Sequence, residues 1–510
     1  MATTSNLRNP PADVTPADTS FFGHPRGLAT LFFTEMWERF SYYGMRALLI
    51  LFMTHKLAEG GLGFDKAKAG DIYGMYTAMV YLLCLGGGWV ADRITGQRRA
   101  VLIGGILIAA GEFCLATPGE AWFYLGLVFL MMGTGMLKGN VSTIVGQLYA
   151  KKDPRRDSGF SLFYMGINTG ALLSSIVCPL IGEKVSFRLG FAVAGLAMLA
   201  GLVQYVLGGR HLGMAGLHTV SSGDVELDRR RKQTATRALS TGLGAFALFG
   251  LLGATGIIPV TAAALSAVLG WVLLGISVAV FSWMIFSGSW SPEERKRSAA
   301  ILVLFIASLL FWGSFEQAGS SLNLFADVNT DRNILKWVFP AGWFQFVQPI
   351  FVVVLAPVFA WIWLRLSRRD ADPSSPAKFS MALLFAGLGF AVLIPAARLI
   401  AASATPEAVK VSMWWLILTY FLQTLGELCL SPVGLSAMSK LAPDRAAGFI
   451  MGIWFLSTAI GNWLAGKAAS MYDALPLPRL FGFVAWPTIA AAVILALLIR
   501  PTVRLMSGVR

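Results

Sequence analysis

Long apolar stretches alternate with short polar ones along most of this chain. A helix that crosses a bilayer needs ~20 consecutive, mostly apolar residues, and fourteen stretches come near that length. The predicted spans are 26–55, 70–91, 99–117, 121–149, 158–181, 189–208, 239–257, 262–286, 299–326, 339–366, 379–400, 411–440, 447–471 and 481–499. The pattern predicts an all-α polytopic membrane protein. The even number of spans places both termini on one side of the membrane.

Positive charge is concentrated in every second connection between these spans. The basic connections hold Arg93, Arg98 and Arg99; Lys151, Lys152, Arg155 and Arg156; Arg229, Arg230, Arg231 and Lys232; Arg295, Lys296 and Arg297; Arg365, Arg368 and Arg369; and Lys440 and Arg445. Cytoplasmic loops carry an excess of Lys and Arg. We therefore expect these connections and both termini to be cytoplasmic.

The longest polar connection divides the spans into groups. It contains an RRRK run, which we interpret as a solvated cytoplasmic loop, because charge runs are usually solvated rather than binding patches. The two spans after it lack buried charge and are expected to be structural or lipid-facing. The predicted organisation is an N-terminal tail 1–25, a six-helix bundle 26–208, a linker 209–238, an inserted helix pair 239–286, a second six-helix bundle 299–499 and a tail 500–510.

Composition narrows the class further. The chain has 510 residues, of which 56% are hydrophobic and 13% are charged, whereas soluble domains carry about 25% charge. The net charge of +14 lies in short connections, so it indicates membrane topology rather than nucleic-acid binding. The four cysteines lie in apolar stretches without metal-ligand spacing, and no metal or other cofactor is expected. Residues 1–25 lack the features of a cleaved signal peptide.

The first span carries the densest group of ionisable side chains. It contains Glu35, Glu38, Arg39, Tyr42, Tyr43 and Arg46. One charge at bilayer depth costs ~2.5–3.5 kcal/mol on insertion scales, so these charges must face a polar interior and find partners. At ~100° per residue, most of them share one helical face. Two interpretations remain open, a functional site and a charge network that only holds helices together.

Other spans supply complementary groups. Lys138 adds a cation, Glu316 and Glu427 add carboxylates, and Asn168, Gln345 and Gln348 add amides. Aromatic candidates include Tyr73, Tyr81, Trp312 and Trp454, although core packing explains the two tryptophans equally well. A short peptide is a zwitterion with an amide between charged ends, and these residue types match it. No histidine is predicted at mid-membrane, so a coupled proton would have to ride on carboxylates.

Several motifs carry a resemblance to known transporters. The stretch Gly88–Arg99, G-x-x-x-D-R-x-x-G-x-R-R, resembles the cytoplasmic signature of the major facilitator superfamily. The stretch Glu35–Gly44, E-x-x-E-R-F-x-Y-Y-G, resembles the hallmark of the proton-coupled oligopeptide transporter (POT) family. Further similar motifs occur at 163–170, 311–323, 426–435 and 451–462, in the family's order and spacing. One departure is Gln348, which stands before Pro349 where the family has Asn.

The resemblance implies a fold, a function and residue roles. It implies two six-helix bundles with the inserted helix pair of bacterial members. It implies a monomeric symporter in the bacterial plasma (inner) membrane that imports di- and tripeptides with protons by alternating access. Substrate contacts are expected from Arg39, Tyr42, Tyr43, Arg46, Tyr81, Lys138, Asn168, Trp312, Gln345, Gln348, Glu427 and Trp454. Proton coupling is expected from Glu35, Glu38, Arg39, Arg46, Lys138, Glu316 and Glu427, with Glu316 paired to Arg46 and Glu427 paired to Lys138. Asp92, Arg93 and Arg98 are expected to tie helices in a gate.

Other functions remain as alternatives at this point. A family member could be tuned to nitrate, a drug or another amphipathic, amino-acid-like solute. A polytopic membrane enzyme would need a catalytic dyad or metal cluster, which the histidine positions do not supply. A channel would need repeated polar rings, and the differences between the two bundles argue against that.

Overall fold

The computed structural model describes residues 18–150, 153–288, 290–403, 409–443 and 446–507, without the side chains of residues 254 and 447. Predictions that concern residues 1–17, Lys151, Lys152, Arg445 and 508–510 lie outside this part. The helices in chain order are α1 (Arg26–Thr54), α2 (Lys66–Val90), α3 (Gln97–Ala116), α4 (Glu120–Gln147), α5 (Arg156–Lys184), α6 (Phe187–Gly208), α7 (Val225–Ala254), α8 (Ala262–Phe286), α9 (Pro292–Phe315), α10 (Ser321–Val328), α11 (Val347–Ser367), α12 (Ser375–Ala401), α13 (Trp414–Leu441), α14 (Ala447–Ser470), α15 (Leu477–Leu497) and α16 (Ile499–Leu505).

Within the described ranges, thirteen helical segments are long and apolar enough to cross a membrane. Helix α1 has 29 residues, about 43 Å at 1.5 Å per residue, and only its charges set it apart from those thirteen. Its charged residues Glu35, Glu38 and Arg39 are buried inside the protein, so they do not meet lipid. The prediction of an all-α, multi-pass membrane protein is confirmed.

The transmembrane helices form two halves. In the first half α1 packs on α5 and α6, and α3 packs on α4. In the second half α12 packs on α13 and α15, and α9 packs on α14. The halves meet where α2 packs against α14, and the inserted helix α8 lies against α2, α9 and α14. Helix α7 is exposed along nearly its whole length, which agrees with a lipid-facing position.

We call the end of the molecule that holds the start of α1 and the 209–224 linker the terminal end, and the opposite end the far end. Four two-residue strands lie in far-end connections: β1 (Thr330–Asp331) pairs with β4 (Val411–Ser412) in parallel, and β2 (Asn333–Ile334) pairs with β3 (Trp337–Val338) antiparallel. The two halves are bonded together here. Glu183 accepts hydrogen bonds from the backbone N–H groups of Ala341, at 2.7 Å, and Gly342, at 2.8 Å. Trp343 Nε1 donates to the Ile176 carbonyl at 2.9 Å.

A chain of ion pairs strengthens the far-end contact. His55, just after α1, lies 2.9 Å from Asp327 of α10. Asp327 also contacts Arg332 at 2.9 Å, and Arg332 contacts Glu183 of α5 at 3.3 Å. The chain therefore joins the first half to the second at two points.

Glycines bring α2 and α14 into backbone contact near the far end. A Cβ on Gly466 would lie 2.3 Å from the Cα of Gly74, and one on Gly70 would lie 2.3 Å from the backbone N of Ser470. Such small-residue crossings are common between membrane helices. An ion pair between Lys467 and Asp71, at 2.7 Å, lies beside the crossing. We call this contact the glycine crossing.

Two predicted segments differ from the structure. The span 299–326 is interrupted, because α9 ends at Phe315 and a 3-10 turn, Glu316–Gly319, separates it from α10. From their spacing in the sequence, Trp312, Glu316, Ser320 and Asn323 are expected on one face of a continuous helix. The break shows that this expectation is wrong beyond Glu316. In the predicted linker 209–238, α7 begins at Val225, because the Asp224 side chain accepts hydrogen bonds from the first free N–H groups of the helix.

Candidate functional site

The centre of the candidate site is an ion pair between the two halves. Arg46 of α1 lies 2.7 Å from Glu316, Nη2 to Oε2, and both residues are buried. Arg46 Nε also donates to the Tyr73 hydroxyl at 3.0 Å. Charged hydrogen bonds of this kind are stronger than neutral ones. The pairing that the resemblance implied is thus present, and the 3-10 turn after α9 is what brings Glu316 to it.

Gly319 makes this arrangement possible. A Cβ at this position would lie 1.9 Å from the Tyr73 hydroxyl oxygen and 2.7 Å from Arg46 Nε. Any other residue would displace the two groups that hold each other beside Glu316. The motif at 311–323 contains this glycine, but its role depends on a tyrosine of another helix.

A second charge cluster lies within α1, nearer the terminal end. Arg39 Nε lies 3.1 Å from Glu35 Oε1 and also contacts Glu38. The Arg39 guanidinium is 5.2 Å from the Tyr42 ring centroid. Among the described residues, Glu35 Oε2, Glu38 Oε1 and Arg39 Nη2 have no hydrogen-bond partner although they are buried. Unpaired buried polar atoms are costly, so this cluster has spare capacity for a proton or water.

Lys138 of α4 is a cation of the site that has no ion-pair partner among the described residues. Its ammonium nitrogen lies 4.1 Å from the Tyr81 ring centroid, a cation–π contact. It is within electrostatic range of Glu35, Glu38 and Arg39. The expected pair between Lys138 and Glu427 is not formed in this structure, since neither residue has an ion-pair partner in the part of the chain described.

The amide candidates lie in different surroundings. Asn168 Nδ2 donates to the Tyr164 carbonyl of its own helix at 2.9 Å. Gln348 Nε2 donates to Gln423 Oε1 at 3.0 Å. Gln345 Nε2 is buried and lacks a partner among the described residues, so it has an unused donor.

The tryptophan candidates form one aromatic wall. The rings of Trp312 and Trp454 meet edge to face with centroids 6.5 Å apart. Trp454 is buried and Trp312 is half-buried. Gly434 packs directly on the Trp454 ring, since a Cβ there would lie 2.2 Å from it. Packing therefore accounts for Trp454 better than for Trp312.

Accessible side chains lie on the terminal side of the Arg46–Glu316 pair. Tyr43, Tyr81, Lys138 and Glu427 are half-buried. Tyr164, which our sequence-based candidates omitted although it lies within the 163–170 motif, is 54% exposed and within electrostatic range of Tyr43 and Glu427. A half-buried cation, Lys138, and a half-buried carboxylate, Glu427, thus lie on the terminal side of the Arg46–Glu316 pair, while the contacts described above hold the far end of the halves together. This arrangement suits a small molecule that carries both charges.

The three gating candidates lie at the turn between α2 and α3, where Arg98 bonds to the linker. Arg98 Nε donates to the Ala215 carbonyl at 2.6 Å, and the Arg98 backbone N–H donates to Gly216 at 2.9 Å. Asp92 accepts from Gln97 Nε2 at 3.0 Å, and the Arg93 guanidinium lies 5.7 Å from the Trp89 ring centroid. Over the described segments, the side-chain hydrogen bonds of Asp92 and Arg98 stay within the first half and the linker, and Asp92 and Arg93 also lie beside the first turns of α7.

Two other polar groups were given no role from the sequence: the far-end ion pairs were not recognised, and Glu112, deep in its span without a motif around it, was left unassigned. The far-end chain of His55, Asp327, Arg332 and Glu183 comes from loops and helix ends, where no sequence motif marks it. Glu112 of α3 is fully buried and accepts a hydrogen bond from Ser41 at 3.0 Å. As to metals, no group of three His, Cys, Asp or Glu residues that could hold an ion occurs within the described ranges.

Comparison with known proteins adds an independent line of support. A model described as "POT family" matches residues 98–481. The chain is 41% identical to an uncharacterized transporter of Bacillus subtilis, YclF, over 96% of each chain. It is 37% identical to the peptide transporter YePEPT of Yersinia enterocolitica, over 97% of this chain and 98% of that one. A crystal structure of a peptide transporter POT in complex with sulfate is similar at a TM-score of 0.88 and 40% identity, covering 96% of this chain and 97% of that one.

Proposed function

This chain belongs to the POT family, and from that premise and the geometry of the site we propose that it is a proton-coupled symporter of di- and tripeptides. It imports them across the bacterial plasma membrane by alternating access. Its relatives are transporters rather than enzymes, and the proton gradient drives the cycle without a cofactor. The substrates are peptides and protons, and the monomer is the working unit.

The observation that carries this proposal is the buried Arg46–Glu316 pair between the halves. A buried charge is tolerated only with a partner. When a proton neutralises Glu316, Arg46 loses that partner and becomes available to the carboxylate of a peptide. Substrate binding and protonation are then linked. The proton removes the negative charge that pairs with Arg46, and the peptide carboxylate supplies a negative charge in its place.

The peptide ends match the accessible charges. Arg46 and Lys138 bind the carboxylate, the first as a planar fork and the second as a point charge. Glu427 and Asn168 bind the amino end, and Gln345 or Gln348 contacts the amide between. The surrounding rings leave room for different side chains. They belong to Tyr42, Tyr43, Tyr81, Trp312 and Trp454. A pairing of Lys138 with Glu427 belongs to a state in which the halves are closer on the terminal side.

The Glu35–Glu38–Arg39 cluster serves the coupling. Lys138 is in its electrostatic range, and the unpaired buried atoms of the cluster give it a place for a proton. A proton taken up there changes the charge that Lys138 faces, and so its readiness to bind a carboxylate.

The orientation follows from charge. The basic linkers support a cytoplasmic position for the terminal end and both termini. The far-end contacts then face the outside, so this structure is the inward-facing state. Alternating access requires the far-end contacts to break and the terminal ends of the halves to close.

The test is uptake of dialanine into proteoliposomes with an imposed pH gradient. We expect accumulation that depends on the gradient and competition by other di- and tripeptides. In Glu316→Gln the proton site is removed, so we expect counterflow to persist while driven accumulation is lost. Glu112→Gln is the control, because Glu112 is equally buried and, among the described residues, its carboxylate accepts a hydrogen bond from Ser41 rather than pairing with a cation.

Two results would contradict the proposal. The proposed substrate would be wrong if none of several dipeptides were transported and nitrate or an amino-acid-like solute were transported instead. Intact driven accumulation in Glu316→Gln would move the proton site elsewhere.

A further inference from the structure

A polar cavity of about 430 Å³ lies at the terminal end, away from the peptide site. It is enclosed by the turn between α2 and α3, the linker and the first turns of α7. Four cations and two carboxylates line it: Arg93, Arg229, Arg231, Lys232, Asp92 and Asp228. Three of the cations come from the RRRK run, which sequence analysis assigned to a solvated loop.

The carboxylates of the cavity are already bonded to neutral donors. Asp228 accepts hydrogen bonds from the hydroxyl groups of Ser221 and Ser222, both at 2.7 Å. Asp92 accepts from Gln97. Over the residues that the structure covers, Arg229, Arg231 and Lys232 have no ion-pair partner. The cavity therefore presents unused cationic donors with a net positive charge.

Arg230 provides a contrast within the same run. It lies 3.1 Å from Glu226 of the same helix and does not line the cavity. Neighbouring arginines of α7 thus differ in what they face, so the run is more than a uniform solvated patch.

The surroundings place the cavity at the membrane surface. Trp89, which is 36% exposed, lies beside Arg93, and Trp is enriched at the membrane–water boundary. Val220, which lines the cavity, is 67% exposed, and Val225, at the start of α7, is 84% exposed. Exposed apolar groups next to basic ones are typical of surfaces that lie in the headgroup layer.

The helix geometry agrees with this depth. The apolar part of α7 begins at Leu239, seven residues after Lys232, which is about 10 Å along the helix. Long basic side chains extend back toward the headgroups from such positions. The apolar surface of α7 beyond Leu239 is exposed and offers acyl chains a place to lie.

We propose that this cavity binds the phosphate of an anionic phospholipid. The guanidinium groups of Arg93, Arg229 and Arg231 hold the phosphate oxygens, because arginine binds phosphate in a bidentate geometry. Lys232 adds charge, and the acyl chains follow α7. The bound lipid connects the α2–α3 turn to α7, the helix of the inserted pair that is exposed along nearly its whole length.

The test is lipid binding to the purified full chain in uncharged detergent, followed by native mass spectrometry. Dioctanoyl-phosphatidylglycerol is compared with the zwitterionic phosphatidylcholine analogue. Each basic residue near a surface contributes ~1 kcal/mol to anionic lipid binding, which is about fivefold in affinity. We expect Arg231→Gln to weaken phosphatidylglycerol binding about fivefold, and Arg231→Gln/Lys232→Gln about 25-fold.

Arg230→Gln is the matched control, with the same charge change one residue away, and we expect it to bind the lipid as the unmodified protein does. Arg229→Gln gives a second comparison if the first variant does not fold. If Arg230→Gln weakened phosphatidylglycerol binding equally, the effect would come from diffuse positive charge, and the proposed site would be wrong. Equal binding of phosphatidylcholine, or displacement of the lipid by millimolar inorganic phosphate, would overturn the assignment to an anionic lipid.

Discussion

Gly319→Ala tests the site through a single carbon atom. The added Cβ would lie 1.9 Å from the Tyr73 hydroxyl oxygen and 2.7 Å from Arg46 Nε. An ordinary contact is at least 3.4 Å, so the phenol must retreat by about 1.5 Å. That movement is larger than the tolerance of the 3.0 Å hydrogen bond between Tyr73 and Arg46. The bond is therefore lost, while the charge of every residue in the site is unchanged.

The size of the effect follows from the bond that is lost. A hydrogen bond to a charged group contributes ~1.5–3 kcal/mol, and 1.36 kcal/mol corresponds to a factor of ten. If Tyr73 orients Arg46 for the peptide carboxylate, we expect peptide affinity to fall about 10- to 150-fold. The measurement is the concentration dependence of dialanine uptake into proteoliposomes at a fixed pH gradient, with counterflow as a second readout.

Two variants complete the experiment. Gly86→Ala, on the same helix as Tyr73, adds a Cβ with no atom within 4 Å, and we expect normal uptake. Tyr73→Phe removes the oxygen that the new Cβ meets. Adding Gly319→Ala to Tyr73→Phe should then cost less than adding it to the unmodified protein, because the 1.9 Å conflict is gone while the contacts of 2.7 Å with Arg46 Nε and 3.0 Å with the ring carbon Cζ remain.

The reasoning fails under either of two results. One is normal peptide affinity in a folded Gly319→Ala protein, which would show that the Tyr73–Arg46 contact has no part in binding. The other is an equal further loss when Gly319→Ala is added to Tyr73→Phe, since the damage would then come from somewhere other than the phenol.

Two further predictions concern the far end. The hydrogen bond to Asp327 raises the pKa of His55 above its usual value, so its contribution to stability is complete below about pH 6.5 and is lost as pH rises through the higher pKa. His55→Gln should therefore flatten the dependence of the thermal midpoint on pH between 6 and 8. An equal effect of His218→Gln, in the exposed linker, would contradict this. Gly466→Ala forces the α2 and α14 backbones apart and should lower the free energy of unfolding by about 1–3 kcal/mol. A cysteine introduced at the far end should then be labelled more strongly. No difference from Gly275→Ala, which meets no atom within 4 Å, would show that the crossing tolerates separation.

The transmembrane architecture could be predicted because membrane insertion depends on local properties. Each span needs sufficient length and apolarity, and both are visible in a window of ~20 residues. The break after Phe315 could not be predicted this way. The segment 299–326 is apolar enough on average to be one span, although polar residues begin at Glu316. The turn at Glu316–Gly319 brings Gly319 into contact with Tyr73 and Arg46. That contact joins residues about 250 positions apart in the chain.

The site was predictable to the extent that its charges lie at membrane depth. The cost of burying Arg46 or Glu316 alone indicates that each has a partner, but only the resemblance named the pair. The Lys138–Glu427 pair depends on how close the two halves are, which differs between states of one sequence. The far-end ion pairs lie where water is near, so burial cost does not single out their residues, and Glu183 and Arg332 went unnoticed.

The position of the glycine crossing determines how far the far end and the terminal end of the halves move between states. It lies near one end of α2: Gly74 is eight residues from Lys66 and sixteen from Val90, distances of about 12 Å and 24 Å along the helix. If the halves turn about this contact by roughly 10°, the ends of the helix move by about 2 Å and 4 Å in opposite directions. The contact then acts as a fulcrum with unequal arms. A small opening at the far end is matched by about twice that closure at the terminal end.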